Sequence, residues 1–124
     1  MQLEECFSKM QECSSAVILG GDLNIRDYEI ASIGGLPTGV EDAWEKTGSD
    51  YSKKFTWDVS ENDNLDWEYS HKPKLRFDRV LYKSGEKEKM EAQNFELIGK
   101  RRMDCCERFV SDHWGILCEF SVTK

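Results

Sequence analysis

The sequence lacks any long hydrophobic run, and its first residues do not have the pattern of a secretory leader. No apolar stretch approaches the roughly 20 residues that a membrane-spanning helix requires, so we expect no membrane partner. The first six residues combine neither a basic head nor an apolar run, so no secretory signal is expected there. We therefore expect an intracellular protein, unless a longer precursor has been trimmed.

Cysteine spacing and charge narrow the class of protein further. The five cysteines are odd in number and include no C-x-x-C spacing, which argues against a zinc knuckle or a disulfide framework and favours reduced thiols. The net charge of −7 argues against a uniformly phosphate-binding surface. Basic residues are nonetheless concentrated in residues 72–83 and 100–102, which form either a phosphate-attracting patch or solvated faces of mixed charge.

Hydrophobic spacing predicts an α+β fold in one domain or part of one. Early in the chain we predict a helix over residues 3–12, a strand over 16–19 buried on both faces, a helix over 27–33 with Asp27 as its N-cap, and one helical turn over 41–46. Later we predict a short β run over 55–57, a long surface loop over 60–74, a Lys/Glu-rich turn over 84–89, and strands over 76–82, 94–98 and 114–122.

Asp22 and Asn24 are the first candidates for chemistry, because they follow a buried run and a glycine pair. In an extended chain, residues two apart share a face. The carboxylate could accept a proton from an attacking water, and the amide could donate to a charged oxygen in the transition state. The alternative is an ordinary polar turn after the glycines.

Two later stretches offer matching groups. Asp78 faces the same way as apolar Val80 on its strand, so its carboxylate must be paired. Its partner is either an arginine or backbone group, or the imidazolium of His113, one of two histidines. Asp112 could face a hard divalent cation, and His113 could be oriented and kept protonated by Asp78. A polar turn with a satisfied histidine is the alternative.

These pieces occur in a specific order: G-D-x-N at residues 21–24, R-x-D at 76–78 and S-D-H at 111–113. That order resembles the endonuclease/exonuclease/phosphatase superfamily. Further stretches are similar to the members of that superfamily that remove tyrosyl adducts from DNA 5′ ends, and they lie at residues 21–27, 34–37, 42–45, 56–58, 76–79 and 109–115.

The resemblance implies a four-layer α/β sandwich of about twice this length. Residues 1–124 would then be a partial domain, the second half, with a mainly antiparallel sheet and flanking helices. The N-terminal half of that domain would supply an Asn and the Glu that directly binds the metal. Because no Glu in residues 1–12 sits in a matching motif, we expect the isolated chain to be inactive without this missing half.

The resemblance also implies roles for individual residues. Asp22 would act on the attacking water, Asn24 would stabilise the phosphoryl transition state, Asp78 would orient His113, and Asp112 would lie near the metal. His113 would contact the scissile phosphate. The path of the DNA 5′ end would be lined by Asn24, Arg26, Trp57, Leu65, Phe77 and His113. Plain core packing is the alternative for Trp57 and Phe77.

The implied function is a Mg²⁺-dependent phosphodiesterase, with Mn²⁺ as a substitute ion. It would hydrolyse 5′-phosphotyrosyl–DNA bonds, release a trapped topoisomerase peptide during DNA repair, and be nuclear, with a cytoplasmic pool as an alternative. Its partners would be DNA 5′ ends carrying a tyrosyl or peptide adduct. Competing hypotheses are another nuclease, deadenylase or phosphoinositide phosphatase of the same superfamily, a non-catalytic DNA- or protein-binding fragment, and a domain whose motifs are coincidental.

Overall fold

The computed structural model describes residues 2–124 and combines antiparallel sheets with short helices, which confirms the α+β class. The helices are α1 (Gln2–Glu12), α2 (Asp27–Ser32) and α3 (Ala43–Lys46), with a 3₁₀ turn at Tyr51–Lys53. The strands are β1 (Val17–Asp22), β2 (Val40–Asp42), β3 (Trp57–Asp58), β4 (Lys74–Leu75), β5 (Asp78–Lys83), β6 (Lys89–Ile98) and β7 (Gly115–Thr123).

Strand β5 is the centre of the fold. It pairs antiparallel with β1 on one side and with β2 on the other. Leu81 is fully buried on one face, where it packs with Phe7 and Met10 of helix α1 and with Val40. Burial on both faces of a central strand holds its backbone in one place, so residues at the ends of β5 have fixed positions.

The other face of β5 packs against the hairpin of β6 and β7. Tyr82 is buried there with Trp44 of α3 and with Met90 and Phe95 of β6. The tyrosine hydroxyl also accepts a hydrogen bond from the backbone N–H of Ala92 at 3.3 Å. The fold therefore contains two apolar clusters, one on each side of the same strand.

The prediction that the first strand is buried on both faces is wrong. Val17 and Leu19 pack toward α1, but the Ile18 side chain between them is 50% exposed. Strand β1 is an edge strand, and within residues 2–124 helix α1 covers only one of its faces. An apolar run alone does not tell how many faces of a strand are covered.

Two predicted helix starts also need correction. Arg26, rather than Asp27, is the N-cap of α2, and the Glu29 carboxylate accepts the backbone N–H of Arg26 at 3.3 Å. Asp27 is instead bound through its carboxylate to Arg79 at 2.7 Å. Glu41 and Asp42, predicted as helix, belong to strand β2, and Asp42 caps α3 by accepting the Trp44 N–H at 3.0 Å.

Several strand limits differ from the sequence predictions. Strand β5 begins at Asp78, not at residue 76, while β6 begins at Lys89 and so shortens the predicted turn. Lys74 and Leu75, placed at the end of the predicted loop or beyond it, form β4 and pair with Trp57 and Asp58. Within residues 2–124 no helix is both long and apolar enough to cross a membrane.

Candidate active site

Two carboxylates meet at one end of the central sheet. The antiparallel register of β1 and β5 places Asp22, the last residue of β1, opposite Asp78, the first residue of β5. Pairing continues one step further, because the Leu23 N–H donates to the Phe77 carbonyl at 2.9 Å. The strand register therefore joins two motifs that lie far apart in the chain.

Asn24 reaches this sheet end through a turn. Its backbone has a φ of 48°, and its N–H donates to Asp22 Oδ1 at 2.9 Å. The prediction that Asp22 and Asn24 share a face because the chain is extended is therefore wrong, since β1 has already ended. The turn engages one carboxylate oxygen of Asp22 and leaves the other, Oδ2, directed at His113 Nε2, 3.9 Å away.

Thr56 fixes the third motif against the sheet, and sequence reasoning did not find it. Its hydroxyl accepts the Asp78 N–H at 3.0 Å, and its carbonyl accepts the Trp114 N–H at 2.7 Å. Because Thr56 is fully buried, these bonds are shielded from water. One residue thus holds both the start of β5 and the segment that carries His113. Its sequence signals were its place in the short β run before Trp57 and in the stretch 56–58 that carries part of the resemblance.

Asp78 and His113 form the hydrogen-bonded pair that the sequence suggested. His113 Nδ1 lies 2.6 Å from Asp78 Oδ2, with both side chains partly buried. The ring is further held by its own backbone, since the His113 N–H donates to the Ser111 hydroxyl at 3.1 Å. Asp78 therefore fixes the orientation of the ring and leaves Nε2 free to face the sheet end.

The surroundings of His113 favour its protonated form. Partial burial opposes a charge on the ring, but the hydrogen bond and negative charge of Asp78, helped by Asp112 and Asp22, outweigh it. Together they raise the pKa of His113 above its ordinary value. A protonated imidazole has an N–H on both nitrogens, so Nε2 can donate to an anionic oxygen.

Asp22, Asp78 and His113 form one cluster, with ligand atoms all within 4.8 Å of one another. The 2.6 Å contact between Asp78 and His113 is too short for both atoms to bind one ion, because adjacent Mg²⁺ ligands at about 2.1 Å lie about 3 Å apart. The contact is instead a hydrogen bond between the two side chains. Mg²⁺ often binds one or two carboxylates and keeps several waters. The carboxylate of Asp112 belongs to that donor class.

Asp112, the predicted metal residue, lies beside this cluster rather than within it. The three-residue grouping contains Asp22 in its place. Asp112 acts on the His113 ring through its charge and is itself partly buried. Its part in metal binding stays a prediction.

Aromatic rings form a row that leads away from His113. Ring centroids lie 6.3 Å apart for His113 and Phe77, 5.5 Å for Phe77 and Trp57, and 5.8 Å for Trp57 and Trp67. Tyr69 extends the row, 5.8 Å beyond Trp67, and is largely exposed. The predicted residues Trp57 and Phe77 are thus neighbours, are only partly buried, and lie next to His113. Trp67 and Tyr69 were not among the predicted residues.

The loop that carries Trp67 and the exposed Leu65 is bonded to the segment before His113. The amide of Asn62 donates to the Ser111 carbonyl at 2.9 Å. Asn64 forms two bonds with the backbone of Phe109, donating to its carbonyl at 2.7 Å and accepting its N–H at 3.0 Å. Side-chain amides therefore hold the long loop in place. The polar composition of the loop does not reveal this role.

Arg26 and Arg76 have different surroundings from the cluster. Arg26 is about half exposed and forms an ion pair with Glu29 at 3.7 Å. Arg76, the arginine of the R-x-D motif, is buried and donates through Nη2 to both carboxylate oxygens of Asp42. Arg76 therefore belongs to the sheet interior, whereas Arg26 is available at the surface near the end of β1.

Comparisons with known proteins find relatives over nearly the whole of this chain. No family model matches the sequence. The chain is 47% identical to tyrosyl-DNA phosphodiesterase 2 of Gallus gallus and 40% identical to that of Homo sapiens, each over 98% of this chain. The chain resembles tyrosyl-DNA phosphodiesterase 2. The resemblance to tyrosyl-DNA phosphodiesterases that the motifs predicted is thereby confirmed. The chain spans about a third of these relatives, 33% of each.

Solved structures of tyrosyl-DNA phosphodiesterase 2 have the same fold over this region. The Danio rerio protein complexed with single-strand DNA product matches with a TM-score of 0.90 and 38% identity, over 97% of this chain and 48% of that one. A truncated Caenorhabditis elegans protein matches with a TM-score of 0.76 and 40% identity, over 98% and 46%. The fold class and the order of elements are therefore those of part of that enzyme.

Proposed function

We propose that the protein carrying this chain is a metal-dependent phosphodiesterase that hydrolyses 5′-phosphotyrosyl–DNA bonds and so frees DNA 5′ ends from a trapped topoisomerase peptide during DNA repair. The observation that carries the proposal is the cluster of Asp22, Asp78 and His113 beside the aromatic row. The similarity to tyrosyl-DNA phosphodiesterase 2 supports the same reaction. A nuclear location follows from the substrate, with a cytoplasmic pool as an alternative.

Mg²⁺ is the proposed cofactor, with Mn²⁺ as a substitute. The carboxylate of Asp112 would hold it, together with groups from outside this chain. When bound, the ion neutralises charge that develops on the phosphate oxygens.

In the proposed reaction, Asp22 Oδ2 accepts a proton from the water that attacks phosphorus. The bond from phosphorus to the tyrosyl oxygen breaks, and DNA keeps a 5′-phosphate. The phenolate leaves and takes a proton from solvent, and Asp22 returns the water proton to solvent. His113 donates from Nε2 to a phosphate oxygen, because the hydrogen bond from Nδ1 to Asp78 keeps the ring protonated and oriented. The Asn24 amide, in the turn beside Asp22, donates to the same developing charge.

The DNA end would lie along the aromatic row. The faces of Trp57 and Phe77 are partly exposed and adjacent, and aromatic faces stack on bases without reading sequence. Leu65 would act as an apolar wedge on the loop. Arg26 supplies a forked cation for the DNA backbone near the end of β1.

The test measures tyrosine release from a 5′-tyrosyl oligonucleotide by the full-length protein that contains this chain, in Mg²⁺. His113→Gln should lower kcat/KM by about 1000-fold, a loss comparable with removing one donor to transition-state charge. His71→Gln is the matched control, because His71 is exposed, and should act like the wild type. Faster hydrolysis of poly(A) or a phosphoinositide than of the tyrosyl substrate would replace the proposed substrate with one of the related classes.

A second measurement concerns the chain by itself. No Glu in residues 1–12 sits in a motif that matches the metal-binding Glu of the related enzymes, so we expect little turnover from the 124 residues alone. Turnover equal to that of the full-length protein would show that the cluster of Asp22, Asp78 and His113 suffices.

A further inference from the structure

Two adjacent thiols lie together on the surface, outside the site described above. Cys105 and Cys106 are both exposed, and their Sγ atoms are 3.6 Å apart. The other three cysteines, Cys6, Cys13 and Cys118, are partly buried. The reaction proposed above uses none of these five side chains.

The backbone around the two thiols is fixed by a tight turn. The Met103 N–H donates to the Arg108 carbonyl at 2.7 Å, and the Glu107 N–H donates to the Met103 carbonyl at 2.8 Å. Glu107 has a φ of 57°, in the left-handed region, and closes the turn. Arg102 adds a bond to the Glu107 carbonyl at 2.9 Å. Because the turn is held at both ends, the thiols are brought together before any ligand arrives.

A disulfide between these cysteines would be strained. Adjacent Cα atoms are about 3.8 Å apart, whereas disulfides usually join Cα atoms about 4.4 to 6.8 Å apart and need sulfurs at about 2.05 Å. The observed Sγ separation of 3.6 Å suits a different use. Two sulfurs bound at about 2.3 Å to one centre lie roughly 3.3 to 3.8 Å apart when their bond angle is between a right angle and the tetrahedral angle. The two thiols therefore match a chelate better than a disulfide.

The coordination number selects the class of ligand. Structural zinc takes four protein ligands, but within residues 2–124 the one group of three or more potential ligands within reach of one another is Asp22, Asp78 and His113. Cys105 and Cys106 offer two sulfurs and no more. We propose that Cys105 and Cys106 form a chelating site for a thiophilic centre with two open positions, of the class of monosubstituted trivalent arsenicals.

The binding step balances without an oxidant. In water, phenylarsine oxide becomes phenylarsonous acid, which carries two hydroxyl groups on arsenic. Each thiol displaces one hydroxyl group, so two As–S bonds form, two As–O bonds break, and two waters leave with the thiol protons. Arsenic remains trivalent throughout.

The experiment titrates the reduced full-length protein with phenylarsine oxide and maps the product by tryptic mass spectrometry. Cleavage after Arg102 and Arg108 releases residues 103–108 with both cysteines. We expect one phenylarsine on that peptide, resistant to excess monothiol and removed by a small dithiol. Cys105→Ser and Cys106→Ser should each weaken binding there by about 100-fold or more, since the second bond is then lost.

Cys13→Ser is the matched control and should leave the bridged peptide unchanged. Both thiols of the pair are exposed, so their serine variants should keep the wild-type melting temperature. Retention of the probe on residues 103–108 in Cys106→Ser, or its release from the wild type by monothiol alone, would overturn the proposal. Preferential labelling of a different cysteine would do so as well.

Discussion

The R-x-D motif contributes one residue to each of two cation–carboxylate pairs: Arg76 pairs with Asp42, and Asp78 pairs with His113. The two pairs have opposite surroundings. The side chains of Arg76 and Asp42 are 4% and 3% exposed, whereas those of His113 and Asp78 are 24% and 18% exposed. Guanidinium stays charged at any accessible pH, but imidazole titrates near neutrality. The comparison indicates that the two residues of the motif have different roles. The arginine stabilises the interior of the sheet, and the aspartate orients a titratable group at the end of the sheet.

The Asp42 carboxylate interacts with more groups than the Asp78 carboxylate does. It accepts from Arg76, caps helix α3 through the Trp44 N–H, and lies 4.0 Å from the buried Arg79. The Arg76 guanidinium further stacks over the Trp44 ring at 4.7 Å. A buried charge without its partner is costly, so breaking the Asp42 pair should have the larger effect.

The largest expected effect is that of Asp42→Ala. It should lower the free energy of unfolding by about 3 to 5 kcal/mol, because it leaves the Arg76 charge buried without a partner. Urea unfolding monitored by circular dichroism measures the change. The double variant Asp42→Leu/Arg76→Met removes both charges and should be clearly more stable than Asp42→Ala. If the two variants are equally unstable, helix capping rather than the buried charge explains the loss.

The second prediction breaks the other pair with Asp78→Asn. It should lower the pKa of His113 toward its ordinary value, because the carboxylate charge raises it. Since the folded pKa is raised, the stabilisation is complete below about pH 6.5 and is lost as pH rises through the folded pKa. The variant should therefore lose about 2 kcal/mol of stability at pH 5.5, and less at pH 9.

Histidine NMR titration and urea unfolding at both pH values test that prediction. Asp104→Asn, an exposed position in the turn after β6, is the matched control. A loss of stability that is the same at pH 5.5 and pH 9 would contradict the assignment to His113.

The third prediction concerns Thr56, whose hydroxyl and carbonyl join the start of β5 to the segment that carries His113. Thr56→Val keeps the side-chain shape but removes the acceptor for the Asp78 N–H, which should cost about 1 to 2 kcal/mol of unfolding free energy. Hydrogen exchange of the Asp78 amide should accelerate relative to Leu81. Thr38→Val, at an exposed position, should leave both quantities unchanged. Unchanged exchange at Asp78 would mean that strand pairing alone holds it.

The smallest effect is expected at an exposed ion pair. Arg102 donates to both carboxylate oxygens of Asp63 at 2.9 and 3.2 Å, but both groups lie in solvent, where such pairs contribute little. Asp63→Asn should leave the urea midpoint within experimental error at 0.15 M salt. A clear loss of stability would show that the exposure of an ion pair does not predict its contribution to stability in this protein.

The sequence predicted the reactive residues of the site better than the residues that hold them in place. Asp22, Asp78 and His113 were identified because their motifs have a specific order, and the structure brings them together. Thr56 and Asn62 were missed, since their bonds reach partners 22 and 49 residues away along the chain. No local pattern encodes such distant partners.

The errors in the fold have the same physical origin. Asp27 has the composition of an N-cap, but a distant arginine, Arg79, holds its carboxylate. Ile18 lies in an apolar run that suits a fully buried strand, yet its exposure depends on which elements cover β1. Local propensities were sound, and tertiary partners decided the outcome.

The pairing of β1 with β5 has one more consequence. Leu81 is buried opposite Leu19, and Asp78 stands opposite Asp22 in the same ladder. A slip of one residue would turn the strand over and move Leu81 out of its cluster with Phe7, Met10 and Val40 and into the space that Tyr82 fills on the other face. A chain in the wrong register separates the two carboxylates and also loses the packing of its most buried leucine. The same register error therefore lowers the stability of the fold as well as disrupting the site.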